Sequence, residues 1–132
     1  MEPNTHLRAD PALCGEVLSL SEGSARLALE ALGSMTVDAQ GLIHGGFVFG
    51  LADYAAMLAV NEPNVVLGAA ETRFLKPVRV GDRVLADART VDVRGRQHKV
   101  RVEATVSSET VFEGTFTCFV LEQHVLERVG SK

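Results

Sequence analysis

The sequence predicts an α+β fold in which a strongly curved antiparallel sheet wraps round one long central helix. Residues 45–60 are apolar apart from one aspartate, and after residue 64 apolar and polar side chains alternate with period two. A helix that is apolar on nearly all sides must be covered on nearly all sides, which a curved sheet achieves. The length of 132 residues fits one domain, residues 1–132, in which residues 1–14 form an N-terminal extension.

The first third of the chain predicts a helical turn and then a strand hairpin. Asp10 suits the N-cap of a turn over Pro11–Cys14, because proline is tolerated at the first helical position. Glu22 and Gly23 separate two strand-like runs as a hairpin turn. The strands are predicted over Glu16–Ser21 and Ser24–Ala31, and a loop over residues 34–41.

The remainder predicts the long helix and four antiparallel strands. The helix is predicted over Gly45–Val60. It ends before Pro63 because proline cannot continue a helix. Each following strand has an apolar face; Val84, Ala86 and Ala88 share one such face. The strands are predicted over Val65–Leu75, Arg83–Val93, Gln97–Val106 and Thr110–Leu121.

Composition argues against several classes of partner. Six Phe, one Tyr and no Trp make a base-stacking nucleic-acid platform unexpected, and the formal charge of −4 argues against a general polyanion binder. Cys14 and Cys118 are too far apart in the chain to indicate a disulfide framework or a thiolate zinc site, and no metal site is expected. The stretch 41–60 has Asp53 near its middle, which favours a buried helix over a membrane span. A cytoplasmic protein without a membrane partner is expected.

Asp53 is the first candidate for catalysis, because it is the only charged side chain between Gly45 and Val60. A carboxylate in an apolar helix is costly unless it is hydrogen-bonded, paired or protonated, and such groups have the shifted pKa that a general base or nucleophile needs. The alternative is a structural carboxylate that caps a backbone group or bonds across a subunit interface. Spacing alone leaves both interpretations open.

His44, Gly45 and Gly46 stand where the long helix begins. The first N–H groups of a helix are unpaired, and a glycine leaves its N–H open to a ligand, so Gly45 suits an oxyanion hole. The alternative is a glycine pair that only serves a tight turn. His44 and Asp53 are nine residues apart, about 13 Å along a helix, so one helix cannot join them in one site. Two antiparallel helices about a two-fold axis can, which predicts a homodimer and leaves a dimer of dimers (a homotetramer) open.

Basic residues are concentrated between Arg73 and Arg101, where the local charge is +6. A local basic surface on an acidic protein suits a phosphorylated small ligand, although a solvated strand face is the simpler alternative. The leading candidates flank turns and are Lys76, Arg79, Arg94 and Arg96.

The run IHGGFVFGLADYAAMLAVN, from Ile43 to Asn61, resembles the HGG…LAD signature of PaaI-like hotdog acyl-CoA thioesterases. LKPVRVGDRVLADARTV, from Leu75 to Val91, is similar to the strand–proline–turn–strand of the same superfamily. The resemblance implies a hotdog fold and hydrolysis of acyl-CoA to free acid and CoA. Coenzyme A is then part of the substrate, and no cofactor is expected.

The resemblance also implies roles for the residues that match the motif. Asp53 would activate water or attack the thioester, Gly45 would donate its N–H to the thioester carbonyl, and His44 would shape the helix start on the leaving-group side. Gly46 is expected beside the substrate. The basic segment would hold the phosphates of coenzyme A.

Two positions depart from that family pattern. Many members carry an asparagine about six residues before the HGG, where this chain has Asp38, which cannot donate an amide hydrogen bond. Some members place a hydroxyl early in the strand after the helix, but here the first is Thr72. Glu71 or Thr72 is therefore expected to position the attacking water.

A non-catalytic acyl-CoA-binding hotdog module, as in FapR-type lipid regulators, is the alternative function. Those regulators carry an added helix-turn-helix and lack a carboxylate at the position of Asp53, so the resemblance favours the enzyme. A hotdog dehydratase would need its own histidine–carboxylate motif, which the sequence does not contain.

Overall fold

A long central helix lies against one face of a six-stranded antiparallel sheet in the computed structural model, which describes residues 1–128. The elements are α1 (Pro11–Cys14), β1 (Glu16–Ser21), β2 (Ser24–Glu30), α2 (Gly45–Val60), β3 (Val65–Phe74), β4 (Arg83–Arg94), β5 (Gln97–Val106) and β6 (Glu109–Val120), with short 3-10 turns at Gly33–Met35 and Val125–Arg128. The strand order is β1-β2-β4-β5-β6-β3. The predicted α+β arrangement is confirmed.

Both helices have the predicted bounds, and no strand end differs by more than one residue. Arg94 pairs with Gln97 and Val106 pairs with Glu109, so the hairpin pairing lengthens β4 and β6 by one residue at the turn. The other differences are at frayed strand ends, where alternation carries no signal.

Helix α2 begins and ends at local caps. The Nδ1 atom of His44 accepts a hydrogen bond of 2.7 Å from the N–H of Gly46, and Asn61 takes the left-handed conformation (φ 55°) while its N–H bonds the Met57 carbonyl. Four of the eight buried side chains of α2 are alanines, which lets the sheet approach the helix closely. The buried set is Val48, Leu51, Ala52, Ala55, Ala56, Met57, Leu58 and Ala59.

Irregular pairing gives the sheet its curvature. The register shifts once in each of four strand pairs, and such bulges bend a strand and increase its twist. The bulge in β3 falls at Gly68, where the ring of Phe119 crosses the backbone so closely that a Cβ would lie 2.4 Å from it. Any larger residue at this bend would have to displace the Phe119 ring.

Strand β3 is an edge of the sheet. It pairs with β6 on one side, and its other side has no strand partner among residues 1–128. Its outward residues include Ala69 and Ala70, which are small and uncharged, and Phe74, which is 56% exposed. Such an edge is suited to pairing with another strand.

Candidate active site

Asp53 lies in the middle of α2 and is half-buried. Its Oδ1 atom is shielded from solvent and has no hydrogen-bond partner among residues 1–128. Burial raises the pKa of Asp53 from its ordinary value of 3.8 to about 6. The carboxylate is thus ionised for the most part at neutral pH, yet poorly solvated, which suits a general base or nucleophile.

A cavity of about 550 Å³ opens beside Asp53. Its walls come from the C-terminal half of α2, the start of β3, the N-terminal segment and the turn after β6. The lining residues are Asn4, Thr5, His6, Leu7, Asp53, Met57, Pro63, Asn64, Val65, Val66, Leu67, His124 and Val125. The size lies within the range of small-molecule sites, so Asp53 faces a space that can hold a substrate group.

The buried thiol of Cys118 is unreactive. Burial, with a smaller contribution from the charge of Asp53, raises the pKa of Cys118 to about 12. The residue is fully buried, and its Sγ lies 3.8 Å from the Phe116 carbonyl. Cys118 is therefore a protonated core residue and not a second nucleophile.

Four residues of the N-terminal extension, Asn4 to Leu7, line the Asp53 cavity, and sequence reasoning missed them. The ring of His6 lies with its centroid 6.3 Å from that of Tyr54, and partial burial lowers the pKa of His6 below its ordinary value. His6 and His124 had no partner recognisable from spacing, but the fold brings both to the cavity wall. No local periodicity signals such a contact, because it joins segments far apart in the chain.

The start of α2 has the geometry expected of a carbonyl-binding site. Gly46 donates its N–H to His44, and the N–H of Phe47 bonds the His44 carbonyl. The N–H of Gly45 has no acceptor among residues 1–128. A Cβ at Gly45 would lie 3.1 Å from the Phe74 ring, so a larger residue would press on that ring.

Gly45 and Asp53 do not share a cavity within one chain. Gly45 lies in a second cavity of about 250 Å³, beside Phe74, Lys76 and Pro77. Eight residues along a helix separate the two groups by about 12 Å. A complete site of the predicted kind therefore needs a second chain, and the dimer stays a prediction.

Glu71 and Thr72, predicted to position water, do not line the Asp53 cavity of the single chain. They lie in the second half of β3, paired with Thr115 and Gly114, whereas only the first residues of β3 reach the Asp53 cavity. Asp38 has a structural contact instead: its Oδ1 accepts hydrogen bonds from the N–H groups of Gln40 and Leu42. It thereby orders the loop that leads to His44.

The four basic candidates divide into two groups at opposite ends of the sheet. Lys76 and Arg79 follow β3, near Gly45, whereas Arg94 and Arg96 flank the β4–β5 turn. On β6, the partner of Phe74 is Phe112 and the partner of Gln97 is Phe119, seven residues or about 23 Å away. One chain therefore does not bring all four to one phosphate group.

Three of these basic side chains are already in exposed ion pairs. Lys76 contacts Glu109 at 2.7 Å, Arg94 contacts Asp92 at 3.0 Å and Arg96 contacts Glu122 at 2.8 Å. Exposed pairs contribute little, at most about 1 kcal/mol, so a phosphate can replace the carboxylate. The side chain of Arg79 makes no ion pair within residues 1–128.

Two other properties concern the whole described chain. Within residues 1–128, no three His, Cys, Asp or Glu side chains cluster as metal ligands would. None of the helices in this range is both long and apolar enough to span a bilayer.

Replacing Asp53 by Asn should stabilise the fold more at pH 7.5 than at pH 4. The pKa of Asp53 is raised on folding, so the folded state holds this proton more tightly, and stability falls as the pH rises from about 4 to above 6. Asparagine removes the buried charge, and the gain at pH 7.5 should exceed that at pH 4 by about 1–2 kcal/mol. Denaturant melts of both proteins at both pH values measure this; an equal gain at both would show that Asp53 is well solvated.

The profile of the thioesterase superfamily matches residues 40–113, which is more than half of the chain. The chain belongs to this superfamily. The matched range contains all of α2 with Asp53, strands β3, β4 and β5, and the first five residues of β6. The thioesterase superfamily has the hotdog fold, so the fold expected from the sequence is confirmed.

Two solved structures are similar to this thioesterase-superfamily chain over most of its length. An uncharacterised protein from Pyrococcus horikoshii is 52% identical with a TM-score of 0.94, over 96% of this chain and 97% of that one. A mutant of the phenylacetic acid degradation protein PaaI from Thermus thermophilus is 35% identical with a TM-score of 0.77, over 85% of this chain and 100% of that one. The resemblance to PaaI seen in the sequence is thus confirmed.

Two curated relatives are longer proteins that contain a region similar to this thioesterase-superfamily chain. A methylthioribose-1-phosphate isomerase from Aquifex aeolicus is 46% identical over 92% of this chain but only 27% of its own length. The transcription factor FapR from Caldanaerobacter subterraneus is 28% identical over 86% of this chain and 58% of its own length. The chain therefore spans about a quarter of the length of the isomerase and just over half of the length of FapR.

Proposed function

We propose that this protein hydrolyses acyl-CoA thioesters to free acid and CoA. The observation that carries the proposal is Asp53, which lines a cavity of about 550 Å³ while its Oδ1 atom is buried without a partner among residues 1–128. An uncompensated carboxylate oxygen is costly to bury, so a fold that keeps one beside a cavity has a use for it. Membership of the thioesterase superfamily gives the reaction class.

The chemistry assigns complementary roles to the two ends of the site. The Gly45 N–H, at the positive end of the α2 dipole, polarises the thioester carbonyl. Asp53 either takes a proton from water as the water attacks the carbonyl carbon, or attacks it directly to give an anhydride that water then hydrolyses. In both routes the C–S bond breaks and CoA leaves as the thiolate, which takes up a proton.

The proposed site lies between two chains of a homodimer. Gly45 of one chain and Asp53 of the other come together if the α2 helices lie antiparallel across a two-fold axis. Strand β3 supports this arrangement, since its free edge carries small residues and pairing with a second β3 would cover it. The unpaired cysteines, Cys14 and Cys118, agree with the proposed cytoplasmic location.

A thioester panel followed by release of free thiol tests this function. Acetyl-, butyryl-, octanoyl- and phenylacetyl-CoA form the panel, the last because PaaI, a 35% identical relative, is a phenylacetic acid degradation protein. We expect clear turnover of at least one thioester by the wild type and, with Asp53→Asn, a rate lower by at least about a hundredfold. Rates at the uncatalysed level throughout would reject the enzyme.

Non-catalytic binding of acyl-CoA is the second candidate, favoured by the similarity to FapR over 86% of this chain. The two candidates differ in one readout. A binding module holds acyl-CoA in calorimetry without releasing thiol, whereas the enzyme releases thiol from the same ligand. The orphan carboxylate of Asp53 favours the enzyme, because an acyl thioester offers no positive charge to pair with it.

Reversing the charge of Lys76 should raise KM for acyl-CoA at least several-fold, with little effect on a truncated thioester that lacks the nucleotide. Lys76 lines the cavity that contains Gly45, so it is the basic candidate nearest the proposed carbonyl site. Arg26→Glu is the matched control, because Arg26 is also exposed and ion-paired, with Asp87, but lies on β2, outside the basic segment. Steady-state kinetics at two salt concentrations measure this, since a phosphate contact weakens with salt. Equal KM changes for both thioesters would show that Lys76 does not bind the nucleotide.

A further inference from the structure

The N-terminal segment Glu2–Leu7, called the N-terminal strap below, is fastened across the end of α2. The N–H of Asn4 donates to Oδ1 of Asn61 at 2.7 Å, and Nδ2 of Asn61 donates to the carbonyl of Glu2 at 3.0 Å. Both bonds use the side chain of Asn61, whose backbone caps α2. One residue thus ends the helix and holds the strap.

The strap continues from this clamp along the wall of the Asp53 cavity. Thr5 is only 5% exposed, and its Oγ1 lies 2.8 Å from Nδ1 of His6, so the middle of the strap is ordered. The His6 ring then packs beside Tyr54, and beyond it the chain enters α1, which packs against α2. The strap is therefore anchored at both ends and cannot move without breaking these contacts.

The cavity that the strap lines is apolar for the most part away from Asp53, since seven of the other twelve lining residues are apolar. Met57, Val65 and Leu67 supply its floor from α2 and β3. Leu7, 73% exposed, and Val125, 38% exposed, supply apolar groups at its rim. Apolar groups beside a carboxylate fit an acyl chain whose thioester end lies at Asp53.

We propose that the N-terminal strap sets the upper length of the acyl group that this site accepts. The inference rests on the proposed function for the identity of the ligand. While an acyl chain grows within the cavity, each buried methylene strengthens binding about fourfold. A chain longer than the cavity meets the strap, and because Asn61 holds the strap in place, further methylenes add nothing or weaken binding.

Asn61→Gly removes the side-chain bonds that hold the strap but keeps the residue that caps α2. Glycine is the residue best suited to the left-handed position that ends a helix, so α2 keeps its cap. Both bonds from the Asn61 side chain to the strap are lost, and only the long 3.5 Å bond from Nδ2 of Asn4 to the Asn61 carbonyl remains. Glu62→Gly is the matched control, because Glu62 is the exposed neighbour in the same turn and makes no side-chain bond to the strap. Asn61→Asp keeps the acceptor for Asn4 but loses the donor to Glu2, and an intermediate effect is expected.

The experiment compares S-alkyl-CoA thioethers of four to sixteen carbons by calorimetry with the wild type and the three variants. Asn61→Gly should extend the range, raising the affinity for the longest thioether relative to the shortest at least about tenfold, and Glu62→Gly should not. Hydrogen exchange should show lost protection of the Asn4 N–H in Asn61→Gly but not in Glu62→Gly. An unchanged length profile in Asn61→Gly, or the same change in Glu62→Gly, overturns the inference.

Thioethers separate this test from that of the reaction. They resemble acyl-CoA but cannot be hydrolysed, so the length profile is measurable whether or not the protein is an enzyme. If thioesters are hydrolysed but the length profile is the same in Asn61→Gly, the proposed role of the strap is wrong and the proposed hydrolase function stands. If the length profile shifts in Asn61→Gly but no thioester is hydrolysed, the proposed role of the strap stands and the proposed hydrolase function is wrong.

Discussion

Asp53→Asn should lower kcat for the best acyl-CoA substrate by at least about a hundredfold, the usual scale for a positioned base. Asparagine keeps the shape of the side chain but has no charge to accept a proton or attack a carbonyl. The KM for acyl-CoA should change little, because the basic residues and the cavity wall remain. Steady-state thiol release with both proteins measures the difference.

The pH dependence of the wild type supplies the control for that result. The pKa of Asp53 is raised to about 6 in the free protein, and the active form is the carboxylate, so kcat/KM should fall as the pH drops through about 6. The residual activity of Asp53→Asn should lack this inflection. If Asp53→Asn hydrolyses the same thioester at near wild-type kcat, Asp53 has a purely structural role.

Gly50→Arg should convert a dimer into a monomer and lower the activity by at least about a hundredfold, the scale expected when a positioned catalytic group is lost. Gly50 lies one turn before Asp53, and a Cβ there would meet nothing within 4 Å in the single chain, so the fold accepts a side chain. Arginine is also the better helix former. In the proposed dimer, however, this face of α2 approaches the partner helix, and a long cation would hold the two apart.

Gly33→Arg is the matched control for that variant. Gly33 also has open space at its Cβ position, but it lies in the 3-10 turn after β2, away from α2. Sedimentation at micromolar concentration and thiol release should find it dimeric and active. If Gly50→Arg sediments as a dimer and keeps its activity, the α2 face is not the interface and the site does not span two chains.

Most of the fold could be predicted from local sequence patterns. The α2 bounds followed from a run that is apolar apart from Asp53, between a glycine pair and a proline turn. Strand alternation placed the core residues Val84, Ala86 and Ala88 correctly. Asp53 stood out for the same reason, as the only charge in its helix. These features depend on neighbours a few residues away, which a sequence displays directly.

Long-range placement was beyond the sequence. The clamp between Asn4 and Asn61 joins residues 57 positions apart, and neither asparagine has a local pattern that predicts the other. The position of β3 at the sheet edge and the separation of Lys76 from Arg94 depend on strand order and register, which alternation does not determine. Glu71 and Thr72 were assigned by resemblance, and their use stays a prediction that needs the partner chain.

The alanines buried along α2 limit how such a protein can diversify. Ala52, Ala55, Ala56 and Ala59 set the thickness of the helix, and the bend of six strands is matched to that thickness. A larger residue at any of these positions would overpack the contact between helix and sheet and push the neighbouring backbone aside. New substrate ranges are therefore more accessible to evolution through the peripheral segments that line the cavity, where insertions and exchanges leave the helix and its sheet intact.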